Sequence, residues 1–455
     1  MAISKSTRNL VSIFLLLLLT LHSVLAADFK KGLDAAKKGN FETALKEWRP
    51  LAEQGDSYAQ YNLGLMYDYG EGVIEDDTQA VYWFRKAAEQ GHAKAQYNLG
   101  VMYDYGEGVI EDYTLAVYWY RQAAEQSHAK GQYSIGYMYA SGRGIAKDDT
   151  QAVYWFRKAA EQGHAKAQYN LGLMYDYGEG VIEDDTQAVY WYRQAAEQGE
   201  AKAQYDLGLM YDYGLGVIED DTQAVYWFRK AAEQGHTKGQ YSIGYMYASG
   251  RGIAKDDTQA VYWFRKAAEQ GLDKAQYNLG LMYDYGLGVI EDDAQAVYWF
   301  RKAADQGAAN AQRNLGLMYD YGEGVIEDDT QAVYWFRKAA EQGHAKAQYN
   351  LGVMYDYGGG VIEDDTRAVS WYRQAAEQGH AKAQYNLGLM YDYGGGVIED
   401  YTLAVYWYRQ AAEQGHAKAQ YNLGLMYESG RGIAKDDTQA VYWFRKAAEQ
   451  GEAKK

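Results

Sequence analysis

Five carboxylates, Asp68, Glu71, Glu75, Asp76 and Asp77, stand within the eleven residues YDYGEGVIEDD from Tyr67 to Asp77. Clustered oxygens suit a hard divalent cation, and paired acids suit glycoside chemistry. The spacing favours neither. Counted from Asp68, positions 3 and 5 of a calcium loop fall on Gly70 and Gly72, so the ligand order fails. Tyr-Asp-Tyr-Gly also recurs at 103, 175, 211, 283, 319, 355 and 391, and near-identical copies build no unique cleft. The glycines are expected to turn the chain, and Asp76 and Asp77 to start the next helix.

Other chemistry-bearing residues fare no better. Histidines form a column at 92, 128, 164, 236, 344, 380 and 416, each alone in its neighbourhood with no second ligand at metal spacing. Glu200, Leu272 and Ala308 replace them elsewhere, so the column is expected to be a solvent-facing linker position. Ser127-His128-Ala129-Lys130 spells S-x-x-K once, without S-D-N or K-T-G to complete an acylating site. No Gly-Lys dipeptide, H-E-x-x-H or C-x-x-C occurs. The expectation is a non-enzymatic chain with no catalytic residue, metal or cofactor.

The 455 residues carry a formal charge of −17, which disfavours nucleic acid and anionic lipid as partners. Lys5 and Arg8 precede the apolar run NLVSIFLLLLLTL, and Val24-Leu25-Ala26 has the small-residue pattern of a cleavage site. Residues 1–26 therefore read as a removable signal peptide, with an uncleaved anchor as the alternative. Export is expected, to the periplasm first and to the cell surface or medium otherwise. No later segment is apolar enough to span a membrane. The absence of cysteine means that packing alone holds the exported chain together.

What must position these residues is a repeat. Trp83 recurs every 36 residues as far as Trp443, so residues 56–451 form eleven units. A degenerate capping repeat, 27–55, precedes them and a tail, 452–455, follows. In the unit 56–91, Ala59, Leu63 and Tyr67 mark one face of a first helix, with Gly64 beside it for close backbone approach. Ala80, Trp83, Phe84, Ala87 and Ala88 mark the buried stripe of a second helix, capped by Asp76 and closed by Gly91. One such hairpin cannot bury both stripes, whereas a stack of them can.

The pattern Ala59, Leu63-Gly64, Tyr67, Gly70, Gly72-Val73, Asp76, Ala80, Trp83, Ala87-Ala88 and Gly91 resembles the Sel1-like repeat (SLR) family, a relative of the tetratricopeptide repeats. Ile74 or an alanine stands where the family often has proline. The resemblance implies an all-α, right-handed α-solenoid of helix-turn-helix repeats that serves as an interaction scaffold. It also implies that first helices line a concave groove. By register, the groove candidates are Lys94, Tyr97 and Asn98, with Lys166, Tyr169 and Asn170, Lys346, Tyr349 and Asn350, and Lys382, Tyr385 and Asn386. Lysine and asparagine four apart share one helix face and suit the carboxylates and backbone of a peptide. The expected partner is thus a protein or peptide. The alternative is a cell-wall factor that binds or weakly processes peptidoglycan or β-lactam-like substrates.

The copies differ in places. SGRGIAK replaces the acidic loop in three units, bringing Arg143 and Lys147, Arg251 and Lys255, and Arg431 and Lys435, and Arg313 replaces a groove tyrosine. These are read either as register marks for a partner of mixed charge or as drift among duplicates. Around Trp443 and Phe444 the last stripe is expected to be open to self-association.

Overall fold

The computed structural model describes residues 27–451. The expected signal peptide and the tail 452–455 lie outside the described residues. The described chain is all-α, with 24 helices and no strand among the described residues. It divides into two compact units in sequence, one ending at Asp220 and one beginning at Asp221.

The unit ending at Asp220 runs from the short helices Phe29–Ala36 and Phe41–Glu53 through repeating pairs to Ala201–Tyr213. The pair Ser57–Tyr69 and Asp77–Glu89 shows how each hairpin is made. Asp56 caps the first helix, its side chain accepting from the Ala59 amide at 2.8 Å. Gly70 ends that helix at φ 65°, a left-handed conformation that costs a residue with a Cβ more than it costs glycine. Asp76 then caps the second helix by accepting from the Gln79 amide at 3.0 Å, as its position in the sequence leads one to expect. Gly91 at φ 85° turns the chain into the next hairpin, and Ser127 holds the same turn at φ 63°.

The core is thin and fully closed. Ala59, Leu63 and Met66 of the first helix cluster with Ala44, Trp48 and Ala52, and Ala80, Val81, Phe84, Ala87 and Ala88 of the second cluster with Ala95, Leu99 and Met102, all essentially without exposure. Three expectations need correction. Gly64 is small for a ring and not for a backbone, since a Cβ there would lie 2.5 Å from Cδ1 of Phe84. Trp83 is only half-buried, and Val81 takes the buried place in the stripe. Tyr67 is also half-buried, because its hydroxyl turns outward to accept from Arg49 Nη2 of the preceding hairpin at 3.0 Å.

Successive hairpins are joined by polar contacts that recur with the period. Gln96 donates to the Ala88 carbonyl at 3.1 Å and accepts from Gln126 at 2.7 Å. Arg121 donates to the Tyr139 hydroxyl at 3.0 Å. The second loop glycine completes the join, for a Cβ on Gly108 would lie 2.3 Å from the Asp77 carbonyl oxygen.

The second unit repeats this plan from Asp221–Glu233 to Asp437–Ala448. Ala347, Leu351 and Met354 pack against Ala368, Val369, Tyr372, Ala375 and Ala376 in one cluster. Here the tryptophan column shows its role. Trp299, 9% exposed, packs into the cluster built by Ala260, Phe264 and Leu279, so it belongs to the seam between hairpins more than to its own. That placement explains the half-burial of most other copies.

Candidate interaction surface

The candidate residues stand on the first helices Ala93–Tyr105, Ala165–Tyr177, Ala345–Tyr357 and Ala381–Tyr393. Each lysine is exposed, while each tyrosine and asparagine is half-buried. Lys94, Lys166, Lys346 and Lys382 are in no ion pair among the described residues. Their side chains are therefore charges held out to solvent.

The tyrosines are braced from behind. Tyr97 lies against the rings of Tyr120, 5.8 Å away, and His128, 5.1 Å away. Tyr349 meets Tyr372 at 6.0 Å and His380 at 4.9 Å, and Tyr385 stacks on His416 at 4.7 Å. Such rings offer large contact area with little conformational freedom left to lose. In the asparagine column, Asn278 donates to the Tyr241 hydroxyl of the preceding hairpin at 3.5 Å. The free charges of the surface are the lysines.

In the unit ending at Asp220, Tyr97, Tyr105, Tyr133, Lys130 and Lys166 line a recess of about 750 Å³. In the second unit, Lys346, Tyr349, Asn350 and Lys382 share a recess of about 540 Å³ with Arg313 and Tyr321. Asn98 faces a more acidic recess with Asp68, Glu75, Asp77 and Glu107. Burial, reinforced by Asp77, Glu107 and Glu75, pushes the Asp68 carboxyl up to about 6. Lys94, Tyr169, Asn170, Tyr385 and Asn386 line none of these three recesses. Among the described residues, no group of three or more histidine or acidic side chains is placed to hold a metal.

The histidine column is not the solvent-facing linker that its variability implies. His92 caps the helix Ala93–Tyr105, its Nδ1 accepting from the Ala95 amide at 3.2 Å, and its ring stacks on Tyr61 at 4.7 Å. Glu200, Leu272 and Ala308 supply no side-chain cap, so the fold tolerates the loss without the position being idle. Burial, helped by neighbouring lysines, pushes His128 and His380 down to about 4. The S-x-x-K stretch is a helix junction, with Ser127 in the turn and His128 as cap.

Sequence reasoning also missed what the basic loops do. Arg143 reaches back to Asp104 at 3.1 Å and lies over the Tyr113 ring at 4.2 Å. Arg431 makes the same reach to Asp392 at 2.6 Å and to the Tyr401 ring, and Arg251 pairs with Asp221 at 2.6 Å. Their charge is spent on the preceding repeat. The signal was available in the register, since each arginine stands in a loop column that otherwise holds glutamate, leucine or glycine.

An all-helical chain of 36-residue hairpins that pack in succession is a helical-repeat solenoid. The Sel1 repeat matches it eleven times, over 57–92, 93–128, 129–164, 165–200, 201–236, 237–272, 273–307, 309–344, 345–380, 381–416 and 417–452, and the chain belongs to that family. A crystal structure of a protective antigen from uropathogenic Escherichia coli with an SLR fold is 42% identical, with a TM-score of 0.85 over 90% of this chain and 87% of that one. A Sel1 repeat protein from Oxalobacter formigenes is 37% identical, with a TM-score of 0.54 over 66% of this chain and 86% of that one. An exopolysaccharide production negative regulator of Rhizobium meliloti is 41% identical over 54 residues, which is 12% of this chain and only 20% of that protein. Proteins of this family generally mediate protein–protein interaction, and their solenoid is typically a non-enzymatic scaffold. No helix among the described residues is long and apolar enough to cross a membrane.

Proposed function

We propose that this chain is an exported scaffold that binds an extended segment of a protein partner along its first-helix face. The observation that carries the reading is the pair of open recesses of about 750 and 540 Å³, lined by first-helix tyrosines beside lysines in no ion pair among the described residues, with Asp104 and Glu200 in the first and Asp320 in the second. Backbone carbonyls and carboxylates of a polypeptide match those donors, and the rings supply contact area. Lys5, Arg8 and the apolar run before Ala27 support export, as does likeness to a chain described as a protective antigen. We place the protein in the periplasm or at the cell surface of a bacterium.

Charge reversal tests the face. Lys166→Glu, Lys346→Glu and Lys382→Glu together are expected to abolish capture of partner proteins from an envelope fraction. Reversing the second-helix lysines Lys158 and Lys338 is expected to leave capture intact. The opposite pattern contradicts the reading. N-terminal sequencing of the fractionated protein is expected to begin at Ala27, and an intact Met1 in the cytosol contradicts export.

A further inference from the structure

The column that carries tyrosine from Tyr61 to Tyr421 carries arginine once, at Arg313. Arg313 is half-buried on the helix Ala309–Tyr321, and its Nε is shut from solvent without a hydrogen-bond partner. Its Nη1 donates to Asn314 Oδ1 at 3.3 Å, and it is in no ion pair among the described residues. With Lys346 and Lys382 it opens onto the 540 Å³ recess, where Asp320 is the one carboxylate against three cations.

A guanidinium taken partly out of water without an ion pair loses hydration that the single hydrogen bond to Asn314 does not replace. A carboxylate restores the balance, because its two oxygens match the guanidinium fork. On its other side Arg313 borders a recess with Asp284, Glu291, Asp293 and Glu323, which repels an anion. The attractive side is therefore the one with Lys346 and Lys382.

We propose that Arg313, Lys346 and Lys382 form a carboxylate-recognition site that fixes the register of an acidic polypeptide segment on the first-helix face of the second unit. This rests on the reading that the face takes polypeptide. Tyrosine is the column's own residue, so Arg313→Tyr is expected to fold with an unchanged circular-dichroism melt.

The test uses randomised octapeptide pools labelled at the N-terminus. One ends in Glu-Asp with a free carboxylate, one in Glu-Asp amide and one in Gln-Asn amide. The mature wild-type chain is expected to retain an acidic pool about ten-fold more than the neutral pool. Arg313→Tyr is expected to lose that preference and to retain the neutral pool as before, while Arg313→Lys keeps part of it. Preference for both acidic pools assigns the site to side-chain carboxylates; preference for the free carboxylate alone assigns it to a chain terminus. Equal retention of acidic and neutral pools by wild type, or an intact preference in Arg313→Tyr, overturns the site alone. Failure of wild type to retain any pool contradicts the polypeptide reading and the site with it.

Discussion

Gln198 donates its side-chain amide to Gln168 at 2.6 Å, and Gln168 in turn donates to the Ala160 carbonyl at 3.1 Å. Gln168 is 4% exposed, and its equivalent recurs in every described repeat from Gln60 to Gln420. The hairpins are thus linked by a relay of amides as well as by apolar packing. A buried glutamine of this kind has both ends satisfied, which makes its removal costly.

Gln168→Leu keeps the volume and removes both hydrogen bonds, leaving the Ala160 carbonyl to the Gly163 amide at 2.9 Å. It is expected to destabilise by about 1–3 kcal/mol, the net contribution of two hydrogen bonds. Because repeat arrays open locally, amide exchange in the helix Asp149–Glu161 is the appropriate measurement. Gln198→Ala, at an exposed position, is expected to cost less. Equal protection in wild type and Gln168→Leu would refute the relay.

Glycine is used for two different reasons, and substitution separates them. A Cβ on Gly172 would lie 2.6 Å from Cδ1 of Tyr192, so Gly172→Ala is expected to cost about 1–3 kcal/mol through overpacking. Ser127 is a side chain in a turn that glycine holds elsewhere, at φ 63°. Ser127→Gly is therefore expected to stabilise by roughly 1 kcal/mol. Urea melts check both, and a destabilised Ser127→Gly would show that the serine has another role.

The tryptophan seam carries a larger share. Trp335 is 8% exposed against Ala296, Phe300 and Leu315, and Trp335→Ala is expected to cost about 3–5 kcal/mol locally. The array should fray there before it loses all helix. A circular-dichroism urea curve identical to wild type would contradict the burial.

Acid acts on the histidine caps with a definite sign. His128 and His380 have pKa values near 4 in the fold, below the ordinary 6.5, so the unfolded chain takes up their protons first. Their contribution is complete above pH 6.5 and is lost as pH falls towards 4. Burial raises Asp68 to about 6, so its ionisation opposes folding as pH rises from 3.8 to 6, and the two trends offset each other. Replacing both histidines with alanine, as at Ala308, is expected to lower Tm at pH 7.5 and to narrow that deficit by pH 4.5. A deficit that widens with acid would reverse the assignment.

The hairpins were legible because turn and cap residues act within a few positions of themselves. Asp76, Gly70 and Gly91 announce their roles locally, and the 36-residue period announces the stack. What the sequence hid were the contacts between hairpins. Gln96 looks like any helix glutamine until Ala88 and Gln126 close on it, and Gly64 shows its purpose only when the Phe84 ring lies across it. The histidines misled because a column that tolerates Leu272 and Ala308 looks idle, although His92 caps and stacks. At the candidate surface, register put the lysines on first helices, where the structure has them, whereas the stacking of Tyr385 on His416 had no local signal.

The central claim is that partners are held on the first-helix face. A photo-reactive phenylalanine analogue placed at Tyr97 or Tyr349 reports that face, and the same analogue at the exposed Tyr82 or Tyr334 reports the second helices. Covalent capture of a polypeptide from Tyr97 and Tyr349, with none from Tyr82 and Tyr334, is the predicted result. Capture confined to Tyr82 and Tyr334 would contradict the account.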